Sequence, residues 1–266
     1  MPRGGSIPTD AVVFAALPMY DRAENAGAHD AFWVLIRDGL RARGHPAPDA
    51  LDRATQHMEG WARPDLVLGQ ICNLPLRAAF RDRVTVIAAS DYGLPDTPPG
   101  HYHSLFVVRA EDSALSPQDC AGYRFAYNEA LSQSGWGAPS DWAHANRLRL
   151  VPALRTGAHV LSLRAVATGQ ADLAAIDAVT FRNLTRWDPL AAAVRVIGRT
   201  HASPGMTFIT APGADPAPFR AAIADAIARL DPAARDTLGL QGIVTLSPAD
   251  YDIPLPAPPE SAENRG

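Results

Sequence analysis

The 266-residue sequence contains no lysine, so all 24 of its basic residues are arginine. That absence removes Schiff-base chemistry with pyridoxal phosphate or a carbonyl substrate, and it removes a phosphate-loop lysine. Any cation–phosphate contact falls to arginine, histidine or backbone N–H groups. Cysteine is nearly absent too. Cys72 and Cys120 are far apart and form no CxxC pair, which leaves zinc and thioredoxin-type sites unsupported and makes two buried free thiols the expectation, with a single disulfide as the other option. No GxSxG, GxGxxG, Walker loop or HExxH occurs, and no catalytic constellation is recognisable, so a non-enzyme with no cofactor is expected. No basic stripe accompanies the net charge of -4, which argues against a nucleic-acid surface. No apolar run is long enough to cross a membrane. Residues 1–10 carry neither an apolar export segment nor a lipobox cysteine, so the chain as written is expected in the cytoplasm, or in the periplasm if a signal has been removed or the start mis-set.

What is present is the alternation of an α/β protein. Short apolar runs (Val12–Leu17, Leu66–Gly69, Val84–Ala89, Tyr102–Arg109, Arg124–Tyr127, Leu148–Leu154, Leu173–Ile176, Val194–Gly198, Met206–Thr210) read as strands. Helical periodicity covers Asp30–Arg43, Val160–Thr168, Ala178–Leu184 and Pro218–Leu230, with a further helix after Ser134. Pro75–Phe80 also reads as helical, and Ser116 and Pro117 suit the N-cap and first position of a single turn. Two strands, Tyr102–Arg109 and Met206–Thr210, stand where one half of the pattern gives way to the other. That suggests lobe one over 1–104, an inserted lobe two over 105–202, a return to lobe one over 203–253, and a Pro-rich tail over 254–266 that is flexible or draped on the surface. A single doubly wound domain fits the periodicity nearly as well.

Three segments carry candidate chemistry. Ser132, Gln133, Ser134 and Gly135 open a helix after a strand ending at Asn128; two hydroxyls, a glycine and the unpaired N–H groups of a helix start can cradle an anion without a cationic side chain, or simply cap the helix. His159, in Thr156-Gly-Ala-His159, stands at the next helix start, where a neutral imidazole can donate to an anion or serve as a capping residue. Asp177 ends a strand, where it can meet a ligand's amino group or cap the Ala178 helix. His101 and His103 share one face of an expected strand, but no third metal ligand is indicated, so no metal is expected.

In this order, the segments resemble the PhnD-type family of phosphate, phosphite and phosphonate ABC-transporter substrate-binding proteins. The resemblance runs from Phe14-Ala-Ala-Leu-Pro-Met-Tyr20 to about Leu230, through Asp65-Leu-Val-Leu-Gly-Gln70, His103-Ser-Leu-Phe-Val-Val-Arg109, Ser132-Gln-Ser-Gly135, Thr156-Gly-Ala-His-Val-Leu-Ser162, Ala167–Asp177 and Ser203-Pro-Gly-Met206. It implies a type 2 periplasmic-binding-protein fold of two lobes, each a mixed sheet flanked by helices, with the ligand between them. It also implies a monomer that binds a small oxyanion and hands it to an ABC permease. Ser132 and Ser134 match the family's S-x-S-G segment, His159 its G-S-H histidine, and Asp177 an acidic position that meets the amino group in aminophosphonate binders; Tyr20 follows the first strand, where the family places cleft side chains, and Tyr102 is a further candidate for its place near the crossover. Ala158 stands in place of the family's serine, and Asn128-Glu129 in place of the commoner Asp-Pro. A cytoplasmic ligand sensor and a biosynthetic enzyme on the same fold are the competing readings.

Overall fold

The computed structural model describes residues 13–260 and is α/β throughout. The chain forms two compact units. Unit one holds the described residues up to Ile71 together with Phe80–Ala88 and Phe208–Ile243; unit two holds Cys72–Ala79, Ala89–Thr207 and the described residues from Val244 on. The expected lobe boundaries at 104/105 and 202/203 both fall inside unit two, as do residues 254–260 of the expected tail; its residues 261–266 lie outside the described residues. The two long crossings lie instead within the Thr85–Asp91 and Thr207–Thr210 strands. Sequence periodicity reports that a segment is a strand but not which sheet it joins, which is why one expected crossing lies close and the other is displaced.

Unit one is built on a five-stranded sheet in the order Phe14–Ala15, Leu66–Ile71, Thr207–Thr210, Thr85–Asp91, Gly242–Val244. The first strand is shorter than expected, two residues that pair in parallel with Leu66 and Leu68. Helix Ala26–Ala42 starts four residues before the expected Asp30; Asn25 precedes it, with its side chain turned back to accept from Arg22 N and donate to Tyr20 O rather than capping the helix. Phe32, Trp33, Ile36 and Leu40 lie on its buried face, and Phe32 packs against Phe208 with ring centroids 6.5 Å apart.

Unit two is built on a second five-stranded sheet, in the order Val151–Arg155, Arg124–Tyr127, Leu173–Asp177, Ser104–Arg109, Val194–Arg199. The first three strands run parallel, and Ser104–Arg109 is antiparallel to both of its neighbours. Successive residues face opposite sides, as the pleat requires. Phe106, Val108, Phe125, Leu173 and Ala175 enter one core with Trp136 and Trp142, while Val107, Ala126, Ala174 and Ile176 enter another with Leu163, Val166 and Leu184. Helix Ala138–Ala145 thus covers one face, and helices His159–Ala167 and Ala178–Trp187 cover the other.

One expected strand is in fact two. Tyr102–Arg109 breaks at His103: His101–Tyr102 pairs with Ser203–Pro204 in a separate two-stranded ribbon, and Ser104–Arg109 joins the main sheet. His101 and His103 therefore do not share a strand face. His103 Nδ1 lies 2.9 Å from Thr97 Oγ1, and among the described residues no three His, Cys, Asp or Glu side chains gather as metal ligands. Cys72 and Cys120 are both free and buried. Among the described residues no helix is long and apolar enough to cross a membrane.

Phe106 is fully buried and Leu115 is 83% exposed. Phe106→Ala should lower unfolding free energy by about 3–5 kcal/mol, and Leu115→Ala should change it by less than about 0.5 kcal/mol. Urea denaturation of the two variants beside the parent chain measures both.

Candidate functional site

The sheet of unit two brings the candidate segments together by register. Because Val151–Arg155, Arg124–Tyr127 and Leu173–Asp177 are adjacent and parallel, all three loops after them leave the same sheet edge. Thr156 N donates to Tyr127 O and Gly157 N to Asn128 O, both at 2.9 Å, which locks the His159 loop beside the Ser132 loop. Gly157 takes a φ of +86°, a left-handed conformation natural to glycine, and lets the chain turn into helix His159–Ala167. Ser104 opens the antiparallel strand at the same edge, in register with Asp177, and its hydroxyl donates to Ser134 O at 2.8 Å.

Ser132, not Ser134, is the N-cap. Its Oγ accepts from Gly135 N at 3.0 Å. The turn that follows is wider than an α-helix: Gly137 N donates five residues back to Ser132 O at 2.9 Å, and Ala138 N donates to Gln133 O. Such π turns are rare and concentrate at functional sites. Gly135 is required here, since a Cβ would stand 1.7 Å from Asn128 Oδ1 and 3.2 Å from Ser132 Oγ. The widened turn turns the Ser134 hydroxyl to His159 Nε2, 2.7 Å away, while Ser132 Oγ lies 3.5 Å from Ser134 Oγ.

The electrostatics of this cluster are those of neutral donors. Burial pushes the His159 imidazole down to about 4, partly opposed by the backbone of Ala175, so the ring is neutral at ordinary pH. His159 as a residue retains partial exposure, but its Nδ1 is sealed from solvent and lacks a hydrogen bond of ordinary geometry. Tyr102 Oη is likewise buried and faces the Ser134 hydroxyl without closing an ordinary bond; burial raises its phenol well above the usual range, so it stays protonated. Asn128 Oδ1 is the third buried polar atom beside the turn without a partner. Three buried polar atoms in weak or open hydrogen-bonding geometry therefore gather around one turn.

Gln133 is buried, and its side chain is engaged within the protein: Oε1 accepts from Arg77 Nη1 at 2.7 Å and Nε2 donates to Ser203 Oγ at 3.4 Å. Arg77 Nη1 also donates to Asn73 Oδ1 at 2.6 Å. Asp177 is fully buried and caps helix Ala178–Trp187, its Oδ1 accepting from Thr180 N at 2.8 Å. Seven of the eight expected site residues, Ser132, Gln133, Ser134, Gly135, His159, Asp177 and Tyr102, belong to unit two; Tyr20 belongs to unit one, where it is buried and its carbonyl accepts from Asn25 Nδ2. Sequence reading missed Arg77, Asn73 and Ser104. Ser104 lay inside the expected Tyr102–Arg109 strand, and only the break at His103 puts it at a strand start.

Residues 52–252 match the family model described as the ABC transporter, phosphonate, periplasmic substrate-binding protein. The chain belongs to that family. No curated protein matches the chain. Similar solved structures include PhnD1 from Prochlorococcus marinus in complex with methylphosphonate, at 16% identity and a TM-score of 0.67, covering 90% of this chain and 94% of that one. A binding protein component of an ABC phosphonate transporter from Pseudomonas aeruginosa is 15% identical with a TM-score of 0.66, covering 90% and 83%. A Xanthomonas citri protein bound to ATP is 17% identical with a TM-score of 0.66, covering 90% and 93%. The fold is that of the two-lobed type 2 periplasmic binding proteins.

Two outcomes follow from the geometry. The unfolded imidazole protonates near 6.5 and the folded His159 only near about 4, so within that window the unfolded chain binds the extra proton and stability falls as pH falls. His159→Gln should flatten this loss, which urea melts across the window detect as a reduced slope against pH. Gly135→Ala should destabilise by about 1–3 kcal/mol through overpacking, and adding Asn128→Ala should recover part of it. Melting temperatures of the single and double variants decide.

Proposed function

We propose that the chain captures a small phosphonate, phosphate or phosphite-like oxyanion on the Ser132–Gly135 turn and delivers it to an ABC permease. The observation that carries this reading is the convergence of the Ser134 hydroxyl, the neutral His159 imidazole and the protonated Tyr102 phenol on one widened helix start. Ser132 and Ser134 supply hydroxyls, the first-turn amides supply N–H groups, and the imidazole of His159 holds Ser134 in place. A neutral donor set suits an anion that keeps its own charge, because no buried cation has to be desolvated with it.

Binding rather than turnover is the role. Ser134 and His159 have the separation of a nucleophile and its base, but His159 Nδ1 lies against backbone with no carboxylate to orient it as a general base. Asp177 stands at the same sheet edge, in register with Ser104, and its carboxylate is assigned to the amino group of an amino-bearing ligand. The family is periplasmic, and we place this chain's action there, as a monomer.

Isothermal titration with methylphosphonate, 2-aminoethylphosphonate, phosphate, phosphite and sulfate tests the reading. Converging hydrogen bonds to a desolvated anion should give a dissociation constant of about 1 μM or below for a phosphorus oxyanion, about -8 kcal/mol. Ser134→Ala and His159→Ala should each weaken it at least about tenfold, the loss of more than ~1.4 kcal/mol. Asp177→Asn should penalise only the amino-bearing ligand. Absence of heat with every phosphorus oxyanion, or unchanged affinity in the Ser134 variant, refutes the assignment.

A further inference from the structure

The family match ends at residue 252, yet the chain that follows is tied to the anion turn. Residues 253–260 have no regular secondary structure and are largely exposed, with Leu255 59% accessible. They cover a cavity of about 420 Å³ whose other walls include Trp136, Ser140, Asp141 and His144. This segment is therefore not held by a packed apolar core. It is held at named points: Arg77 Nη2 donates to Pro254 O at 3.2 Å, Trp136 Nε1 donates to Ala257 O at 2.8 Å, and Arg149 pairs with Glu260. The last pair is exposed on both sides and adds little.

Composition explains this mode of attachment. Four of the eight residues from Ile253 to Glu260 are proline, which fixes φ, removes N–H donors and favours an extended strap that offers carbonyl oxygens. An indole N–H and a guanidinium are suitable partners for such a strap, as in the recognition of proline-rich peptides by aromatic grooves. Both partners belong to the site. Trp136 lies within the widened turn Gln133–Gly137, and the guanidinium that holds Pro254 also holds Gln133 Oε1.

We propose that the strap Ile253–Glu260 is a positioning element of the anion site, acting through Arg77 and Trp136 to hold the Gln133–Gly137 turn in its wide form. The inference rests on the reading of that turn as the ligand seat. A five-residue hydrogen-bond spacing is less favourable than the four-residue spacing of an α-helix, so the turn needs support from outside itself. The strap grips it at Trp136 on one side and, through Arg77, at Gln133 on the other, three residues apart. Without that grip the turn can tighten to α geometry and draw Ser134 away from His159. Arg77 and Trp136 are thus positioning residues, and no contact between the strap and the ligand is required.

The test compares the full chain, a chain ending at Asp252, and Trp136→Phe, which keeps a ring beside Phe125 and Tyr127 but loses the N–H. Tyr251, which is buried and lies 3.2 Å from Thr207 Oγ1, is retained in the shortened chain. Methylphosphonate affinity by titration should fall about tenfold in each variant, and combining them should cost no more than the larger single loss, because both break the same link. Independent losses that multiply to about a hundredfold, or full affinity in the shortened chain, overturn the proposal. Hydrogen exchange without ligand gives a second reading: amides 133–138 should exchange at least about tenfold faster in both variants, with strand Leu173–Asp177 unchanged. If amides 133–138 keep their protection the strap does not position the turn. Should the full chain take up no phosphorus oxyanion, the proposed function falls, and the exchange rates still decide on the strap. If the shortened chain fails to fold, Trp136→Phe in the full-length chain decides by both readouts.

Discussion

Parallel pairing of three neighbouring strands in unit two is the constraint on which the site depends. Arg124–Tyr127 lies between Val151–Arg155 and Leu173–Asp177, and because all three run the same way, their following loops meet at one edge. Reversing any one of them would carry Ser134, His159 or Asp177 to the opposite end of the sheet, about five residues or ~16 Å away. The sheet is covered on both faces by helices, as parallel sheets require, and the alternation of Phe106 and Val108 against Val107 shows how few positions are free to change. The chemistry at the edge therefore rests on the core rather than on the loops themselves.

The loops add a second constraint, which is polar satisfaction. Ser134 is held from two sides, by His159 on its hydroxyl and by Ser104 on its carbonyl, while Tyr102 Oη, Asn128 Oδ1 and His159 Nδ1 lack ordinary partners close by. Buried groups in that state cost stability in the absence of a ligand. His159 adds to the cost by remaining neutral through the range in which a free histidine would ionise.

Much of this was legible in the sequence because its signals are local. Ser132, Ser134 and Gly135 form a capping pattern, Gly157 before His159 marks a turn into a helix, and Asp177 before Ala178 is an N-cap, which is the role its geometry gives it. The failures involve partner choice. Tyr102–Arg109 reads as one strand because both pieces are apolar, and only the pairing of Tyr102 with Ser203, apart from the main sheet, reveals the break at His103. The chain's passage between units inside Thr85–Asp91 leaves no mark on periodicity for the same reason. Arg77 was illegible in principle: it lies 56 residues from Gln133 and 177 from Pro254, and nothing in the intervening sequence indicates that they meet.

Arg77 also gives the missing lysine a physical meaning. Its guanidinium donates to Asn73 Oδ1, Gln133 Oε1 and the Pro254 carbonyl, three acceptors supplied by three separate segments. A planar fork can address such directions at once from one fixed position, whereas an ammonium is a compact, strongly hydrated point on a flexible stem. The strap presents carbonyls because proline leaves it few N–H groups, and Gln133 presents an amide oxygen because its nitrogen is directed to Ser203. An acceptor-rich junction of this kind needs a multidentate donor that stays charged when partly buried, and arginine alone among the side chains provides it. The two chemistries are kept apart: the permanent cation fastens the protein to itself, and the hydroxyls, amides and neutral imidazole gather at the turn.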